Sequence, residues 1–355
     1  MKVFDAMQAN SITIYGAQMV AVSVYYAIKE LYKDIKINCF VVREKTGNPD
    51  SIDGIPVKVL SEFNETNTKI IIATPENYHA AIIADLEAKG FDNYICMDSK
   101  AEAFLMEKYY NKIAGFPTLH TFDAGDEKAD IAVYMSKFYK DQPLKCHYQI
   151  PVWVNPVQAG AALTDVRIAE LCDNTGDNIS LKNVNYSELS ALYWIQKHMN
   201  SEYIGLFHYR RILDMKEDDL YRLKKNEIDV ILPYPTVHYP NIGEHHKRYL
   251  KDNDWEAMLQ ALKELAPDYA RALPDIFSKQ YFYNYNMFIA KEHILSDYCN
   301  WLFPILDRTE QLSVPKGNER ADRYIGYLGE NLTTLYFMYH QNDYKIAHTG
   351  RLMLI

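Results

Sequence analysis

The sequence predicts an α/β protein built as two units in series, and three observations carry that prediction. Short β-branched runs alternate with helix-length apolar patterns through about residue 115. Periodicity then lapses between about Ile113 and Lys128, in a stretch bearing Pro117 and two glycines. A second series of buried strand-like runs begins at Asp130. A chain of 355 residues is long enough for two ordinary cores, so the boundary is placed near 120, giving units 1–120 and 121–355.

In the first unit, Ser11–Tyr15 is a strand entering Gly16-Ala17-Gln18-Met19, and a helix follows through about Tyr32. Lys36–Val42 and Pro56–Leu60 are further strands. Lys69–Thr74 is a buried parallel strand, Pro75 opens a helix ending near Gly90, and Tyr94–Met97 is the last strand. Strands separated by helices run parallel, which makes this unit a Rossmann-like sheet. A dinucleotide fingerprint there needs three glycines, for the tight turn, the close approach to pyrophosphate and helix packing. Only Gly16 stands; Gln18 and Ala21 take the other places, and a side chain at Gln18 would crowd phosphates. A residual nucleotide site and a structural or docking domain both remain open.

The second unit opens with the strand Asp130–Met135, ending in Ser136-Lys137. Ile150–Asn155 and Gln158–Ala162 follow, where Gly160 is either a point of close backbone approach or a plain turn residue. Asp173–Ser180 is a loop bent at Gly176 and offering Asp177, Asn178 and Ser180. A carboxylate in its Gly-Asp-Asn turn has no evident structural need, which marks Asp177. Asn185 with Glu188 three residues on reads as a capping box, and Leu189, Leu192, Tyr193 and Ile195 form the helix's apolar face. Trp194 is then packing, and Glu188 a cap.

Tyr203–Phe207 is a buried strand delivering His208-Tyr209-Arg210-Arg211 to one sheet edge, where open α/β proteins bind ligands. Two guanidiniums beside a His and a Tyr suit a diphosphate; one arginine of the pair is expected to pin the strand through a carboxylate. Ile228–Leu232 is another strand. The loop Pro233–Lys247 holds His238, His245 and His246 without metal-ligand spacing, and reads as an acceptor-side lid. Tyr281–Ala290 reads as one strand, and Gly329-Glu330-Asn331 as a helix start, where Glu330 serves either as a base or as a favourable charge on the helix dipole.

Composition narrows the function classes. With 48% hydrophobic and 24% charged residues the chain is globular. A formal net charge of −9 leaves no excess of cations for nucleic acid. Five scattered cysteines (Cys39, Cys96, Cys146, Cys172, Cys299) with no CxxC fit reduced thiols. The opening residues show no leader pattern, and no apolar run reaches membrane-spanning length. A cytoplasmic protein is expected. The 29 tyrosines suit sugar faces and interfaces equally.

The order of TGDNIS (175–180), Asn185-Tyr186-Ser187-Glu188-Leu189 into ALYW (191–194), GLFHYRR (205–211), ILP (231–233), YNMFIAK (285–291) and RYIGYLGENL (323–332) resembles the domain of unknown function 4422 family. That family occurs in capsular and exopolysaccharide gene clusters and is regarded as a glycosyltransferase. The resemblance spans roughly residues 128–350. It implies a GT-A-like mixed α/β glycosyltransferase domain, which transfers a sugar of galactose or galactofuranose type from a UDP-linked nucleotide-sugar donor. The acceptor would be a surface polysaccharide or lipid-linked oligosaccharide, and the configuration would invert. Donor contacts fall on Lys137, Gly160, Asp177, Asn178, His208, Tyr209, Arg210 and Arg211; sugar or acceptor contacts on Asn284, Asn286 and His245. Glu330 would take the acceptor proton, with Asp177 the second catalytic candidate. The first unit looks like small nucleotide-binding-like domains fused to bacterial polysaccharide enzymes.

This sequence departs from the family's pattern on its first strand, where the histidine is missing from Met135-Ser136-Lys137-Phe138. Gly329-Glu330-Asn331 resembles the Glu-Asp element of inverting GT-A enzymes, with Asn331 in place of the second carboxylate. No Asp-x-Asp follows Phe207 either, so neither metal nor other cofactor is expected. Partners implied are the nucleotide sugar, the acceptor, the inner membrane face or assembly machinery, and a second copy of the chain. The alternative is a non-catalytic docking or binding module of a polysaccharide assembly complex. A dinucleotide-dependent sugar-modifying enzyme would need the fingerprint that is mostly gone.

Overall fold

The computed structural model of the protein describes residues 10–65, 67–144 and 148–355. Cys146 and the first nine residues, read above for a thiol and a leader pattern, lie outside the described residues; the other four cysteines are unpaired.

The first unit contains strands β1 (Ser11–Tyr15), β2 (Lys36–Val42), β3 (Ser51–Ile52), β4 (Ile55–Val59), β5 (Lys69–Ile72) and β6 (Tyr94–Cys96). They form one sheet in the order β3-β4-β2-β1-β5-β6, parallel except for the β3–β4 hairpin. Helices α1 (Met19–Leu31), α2 (His79–Ala88) and α3 (Ser99–Ala114) cover it. Helix α3 was not foreseen. Its charged sequence hides the period, but Asp98 caps it by accepting from Ala101 N, and Gly115 ends it at φ +62°.

The second unit has a mixed sheet in the order β16-β12-β15-β10-β7-β8-β9. Its members are β7 (Ile131–Lys137), β8 (Val154–Gln158), β9 (Leu171–Cys172), β10 (Tyr203–Phe207), β12 (Val230–Pro233), β15 (Phe288–Lys291) and β16 (Ile346–Thr349). Two ribbons pair β11 (Arg211–Leu213) with β17 (Arg351–Met353), and β13 (Thr236–Val237) with β14 (Tyr281–Phe282). Around them pack α4 (Asn183–Tyr186), α5 (Leu189–His198), α6 (Glu217–Asn226), α7 (Ile242–His245), α8 (Asp252–Leu265), α9 (Pro267–Phe277), α10 (Glu292–Leu312) and α11 (Tyr324–Tyr339). The chain is thus mixed α/β throughout. Among the described residues no helix is long and apolar enough to cross a membrane.

Several local expectations are corrected. Tyr281–Ala290 is two strands, because Tyr285 (φ +71°) and Asn286 (φ +49°) turn left-handed between them. The capping box does not form: Asn185 donates to the Gly317 and Arg320 carbonyls instead, at 2.7 and 2.9 Å. Gly329-Glu330-Asn331 lies inside α11, not at its start. Tyr193 is half-buried, whereas Trp194 is packed and donates to the Thr175 carbonyl at 3.1 Å. The 233–247 loop is no open lid, since β13 and α7 form within it and His238 and His246 are buried.

Helices and a loop of the first unit touch strands of the second. Met353 N donates to Ser99 Oγ at 2.9 Å, and Val237 N to Ser23 Oγ at 3.0 Å. Phe116 stacks on His348 with centroids 4.3 Å apart.

Candidate active site

Strand register assembles the site. β10 runs parallel to β7 and antiparallel to β15, with Phe207 opposite Met135 and Leu206 opposite Phe288. Ser136-Lys137, the His208–Arg211 segment and Tyr285-Asn286 therefore share one sheet edge. Helix α11 presses on the turn between α4 and α5. A Cβ on Gly329 would fall 2.5 Å from Leu189 Cδ1, and one on Gly326 3.2 Å from Ser187 Oγ. Only small residues allow that approach, and it sets Glu330 within electrostatic reach of Glu188.

Glu188 is 9% exposed. Its Oε1 accepts from Asn286 Nδ2 at 2.7 Å, and Asn286 Oδ1 accepts from Thr333 Oγ1 at 2.9 Å. Two consecutive non-glycine residues at positive φ, Tyr285 and Asn286, hold that geometry, a kind of strain that clusters at functional sites. Burial pushes the Glu188 carboxyl up, against its bond from Asn286. Glu330 is pushed up to about 8, first by desolvation and then by Glu188, with a bond from the Tyr285 N–H and the charges of Arg211 and Arg323 opposing. Both carboxyls are therefore biased toward their neutral forms.

Arginines surround this pair. Arg211 Nη1 donates to His208 Nδ1 at 3.2 Å; a guanidinium cannot accept, so His208 is neutral and carries its proton on Nε2. Burial, then Arg211, Arg210 and Arg323, hold the His208 pKa well below the usual imidazole value. The Arg211 guanidinium lies 3.8 Å from the Tyr285 centroid, and Arg351 lies 5.1 Å from the same ring. Burial, with Arg351 and Arg210 beside it, pulls the Arg211 pKa down against Tyr285. Arg210 Nε is buried without a partner, and Arg323 Nε donates to Ser187 Oγ at 3.0 Å. The expected carboxylate partner for one of the arginine pair is absent among the described residues. Arg211 spends its donors on His208 and its face on Tyr285 instead. A crevice of about 330 Å³ opens here, lined by Ser136, Asp141, Glu188, His208, Tyr209 and Arg323. Arg323 lines this crevice with Asp141 and Glu188, and Arg210 and Arg211 stand close to His208 in its wall; cations grouped so favour an anion.

Of the other expected residues, Lys137 stands at the same sheet edge and the rest lie elsewhere. Lys137 ends β7 opposite Gln158, and its charge acts on Asp141. Gly160 sits at φ +66°, and a Cβ there would fall 2.8 Å from Asn183 Cγ, so its close neighbour is a side chain of the protein. Asp177 is exposed and accepts from the Tyr193 hydroxyl at 3.1 Å, outside this crevice. Asn178 closes its own turn, donating to the Gly176 carbonyl and accepting from Ser180 N. The buried loop carboxylate is Asp173, which accepts from Gly160 N, Ala161 N and Ser190 Oγ. Asn284 accepts from Thr236 Oγ1. His245 packs against His238, with centroids 3.9 Å apart, and burial pushes it down to about 4. His238 and His245 line a second, larger cleft, away from Glu188. Among the described residues no group of three His, Cys, Asp or Glu side chains is arranged to hold a metal.

Sequence reasoning passed over Glu188, Arg323, Asp141 and Tyr285. Glu188 and Tyr285 stand inside recognisable motifs, and Arg323 opens another; only Asp141 had no signal.

Comparisons with known proteins agree with this architecture. The family described as a domain of unknown function, DUF4422, matches residues 143–342, more than half of the chain. Among solved structures, the apo bifunctional glycosyltransferase WbbM is similar at 27% identity and a TM-score of 0.53, over 63% of this chain. The match covers 45% of that protein's chain, so this chain spans less than half of it. The mannosyltransferase Ktr4p from S. cerevisiae aligns over 72% of this chain and 80% of its own. Its 11% identity and TM-score of 0.29 are too low to carry an argument. No curated protein matches in sequence.

Proposed function

The chain belongs to the DUF4422 family, and on that footing we propose that it is a glycosyltransferase. It would move a sugar from a UDP-linked donor to a hydroxyl of a polysaccharide or lipid-linked acceptor, with inversion. The observation that carries this reading is the grouping of two buried carboxyls, Glu188 and Glu330, with Arg210, Arg211 and Arg323, none of which makes a close ion pair among the described residues. The similarity to a bifunctional glycosyltransferase supports it.

The chemistry follows from the residues. The acceptor oxygen bonds to the anomeric carbon, the bond from that carbon to the diphosphate breaks, and its electron pair leaves on the diphosphate. Arg210, Arg211 and Arg323 offset the leaving charge. The acceptor's proton passes to Glu330, whose raised pKa matches a base working near neutrality. Burial raises that basicity most, and the charge of Glu188, held by Asn286, adds to it.

Incubation of the pure protein with UDP-galactose, UDP-galactofuranose and other UDP-sugars, with or without an oligosaccharide acceptor, is expected to release free UDP. No release from any donor, with anion binding intact, would favour the non-catalytic docking module. Because guanidiniums supply the countercharge, turnover is expected to survive EDTA with little loss. Loss in EDTA that manganese restores would overturn that expectation.

A pH profile tests the carboxyl pair. Since a base must be deprotonated, kcat/KM is expected to rise with pH through about 8 and level off above it. Glu188→Gln keeps an acceptor for Asn286 but removes the neighbouring charge, so this limb should move to lower pH. A limb that stays in place would separate Glu188 from the base.

A further inference from the structure

The larger cleft lies at the carboxyl edge of the first sheet, closed from above by residues 237–249 of the second unit, and encloses about 830 Å³. It sits where the strand order reverses between β1 and β5, the usual ligand position in an open parallel sheet. We propose that this cleft binds a nucleoside phosphate, with the phosphate at the start of α1 and the base on its tyrosine walls, at a site separate from the crevice at Glu188.

Three independent observations point there. Helix α1 starts with no side-chain cap and no acidic residue in its first turn. Its first internal bond is from Val22 N to Gln18 O, which leaves the N–H groups of Met19, Val20 and Ala21 without a helical acceptor, two of them in buried residues. Beside it, Tyr15 is 3% exposed with an unpartnered hydroxyl, and Thr74 Oγ1 is likewise unpartnered; both line the cleft. Hydroxyls left so in a folded protein lack the bonds that a ligand oxygen would supply. On the walls, Tyr78 and Tyr239 stand 57% and 45% exposed, and Tyr249, stacked on Tyr327 through one face, is 49% exposed, which leaves ring faces suited to stacking.

The sequence objection to a phosphate disappears in the structure. The Gln18 amide reaches away to Gly47 O and Asn48 Oδ1, at 2.9 and 2.7 Å, and does not block the helix start. Gly16, at φ +117°, keeps the turn tight, since a Cβ there would fall 2.7 Å from the Ala73 carbonyl oxygen. Arg248 donates to Gly47 O at 3.2 Å and brings a cation to the rim.

Hydrogen–deuterium exchange on the full chain tests this with UMP, AMP and inorganic phosphate as probes. Nucleotide is expected to protect peptides covering 16–22 and 237–249. Gln18→Asp caps α1 and places negative charge at the phosphate position, so it should weaken protection at least about tenfold without lowering the melting temperature. Arg210→Ala should leave this protection unchanged, which separates the outcome from that of the transferase reading. The proposal is overturned if no nucleotide protects these segments, or if Gln18→Asp leaves protection intact. Equal protection by phosphate alone overturns the nucleoside assignment, and protection confined to 208–211 and 323–330 overturns the separate site.

Discussion

Replacing Glu330 by Gln is expected to lower turnover by about 10²–10⁴-fold while donor binding stays near normal. The substitution keeps shape and most hydrogen bonding but removes the group that takes the acceptor's proton. A purely structural role predicts nearly full activity. The helix-dipole role considered from sequence is removed by position, because Glu330 is in the interior of α11. Stability should move the other way from activity. The folded carboxyl sits at about 8 against an ordinary 4.5, so the folded state binds the proton more tightly than the unfolded chain. Its contribution is therefore present at low pH and lost as pH rises from about 4.5 to about 8. Glu330→Gln holds the neutral form, so its melting temperature at a pH of about 9 should exceed that of the parent protein. Full activity in the mutant, or retention of configuration in the product, would take Glu330 out of the base role.

Arg210→Ala and Arg211→Ala are each expected to weaken UDP-sugar binding by about 1.5–3 kcal/mol, the range of a charge-assisted contact. Calorimetry with UDP would read it. The two should differ in stability. Arg210 has a buried Nε without a partner and its charge opposes that of Arg211, so its removal relieves repulsion and the melting temperature should hold. Arg211 stacks on Tyr285 and belongs to β11, so its removal also loses packing. Arg211→Lys, which keeps charge but not the planar fork, should recover only part of the affinity. Unchanged affinity in both alanine mutants would show that these arginines serve the fold alone.

The strands were legible because burial on both faces leaves a mark in composition. Ser11–Tyr15, Lys36–Val42, Lys69–Ile72 and Tyr203–Phe207 are β-branched or aromatic runs that no amphipathic helix would tolerate. The arginines at the end of β10 were legible for the same reason, since a strand's direction fixes which edge its last residues reach. Helix α3 was not legible, because its charged sequence hides the apolar period and its place depends on packing against α1 and, over 200 residues away in sequence, β17. The cap assigned to Asn185 and Glu188 failed because the local pattern fits a capping box equally well, while the carbonyls of Gly317 and Arg320 compete for Asn185 only once the chain has folded.

By itself the sequence determined the α/β class, the two runs of strands, the arginine-bearing edge and the motif order of one family. Those properties are local, or depend only on alternation and direction along the chain. Only the tertiary structure decided that Glu188 and Glu330 are buried within electrostatic reach of each other, that Asp177 faces solvent beside Tyr193, and that Gln18 leaves the start of α1 open. A carboxyl's role depends on its desolvation and on the charges around it. Both are set by which distant segments, here the 186–189 turn, the left-handed Tyr285-Asn286 and α11, are pressed together by packing.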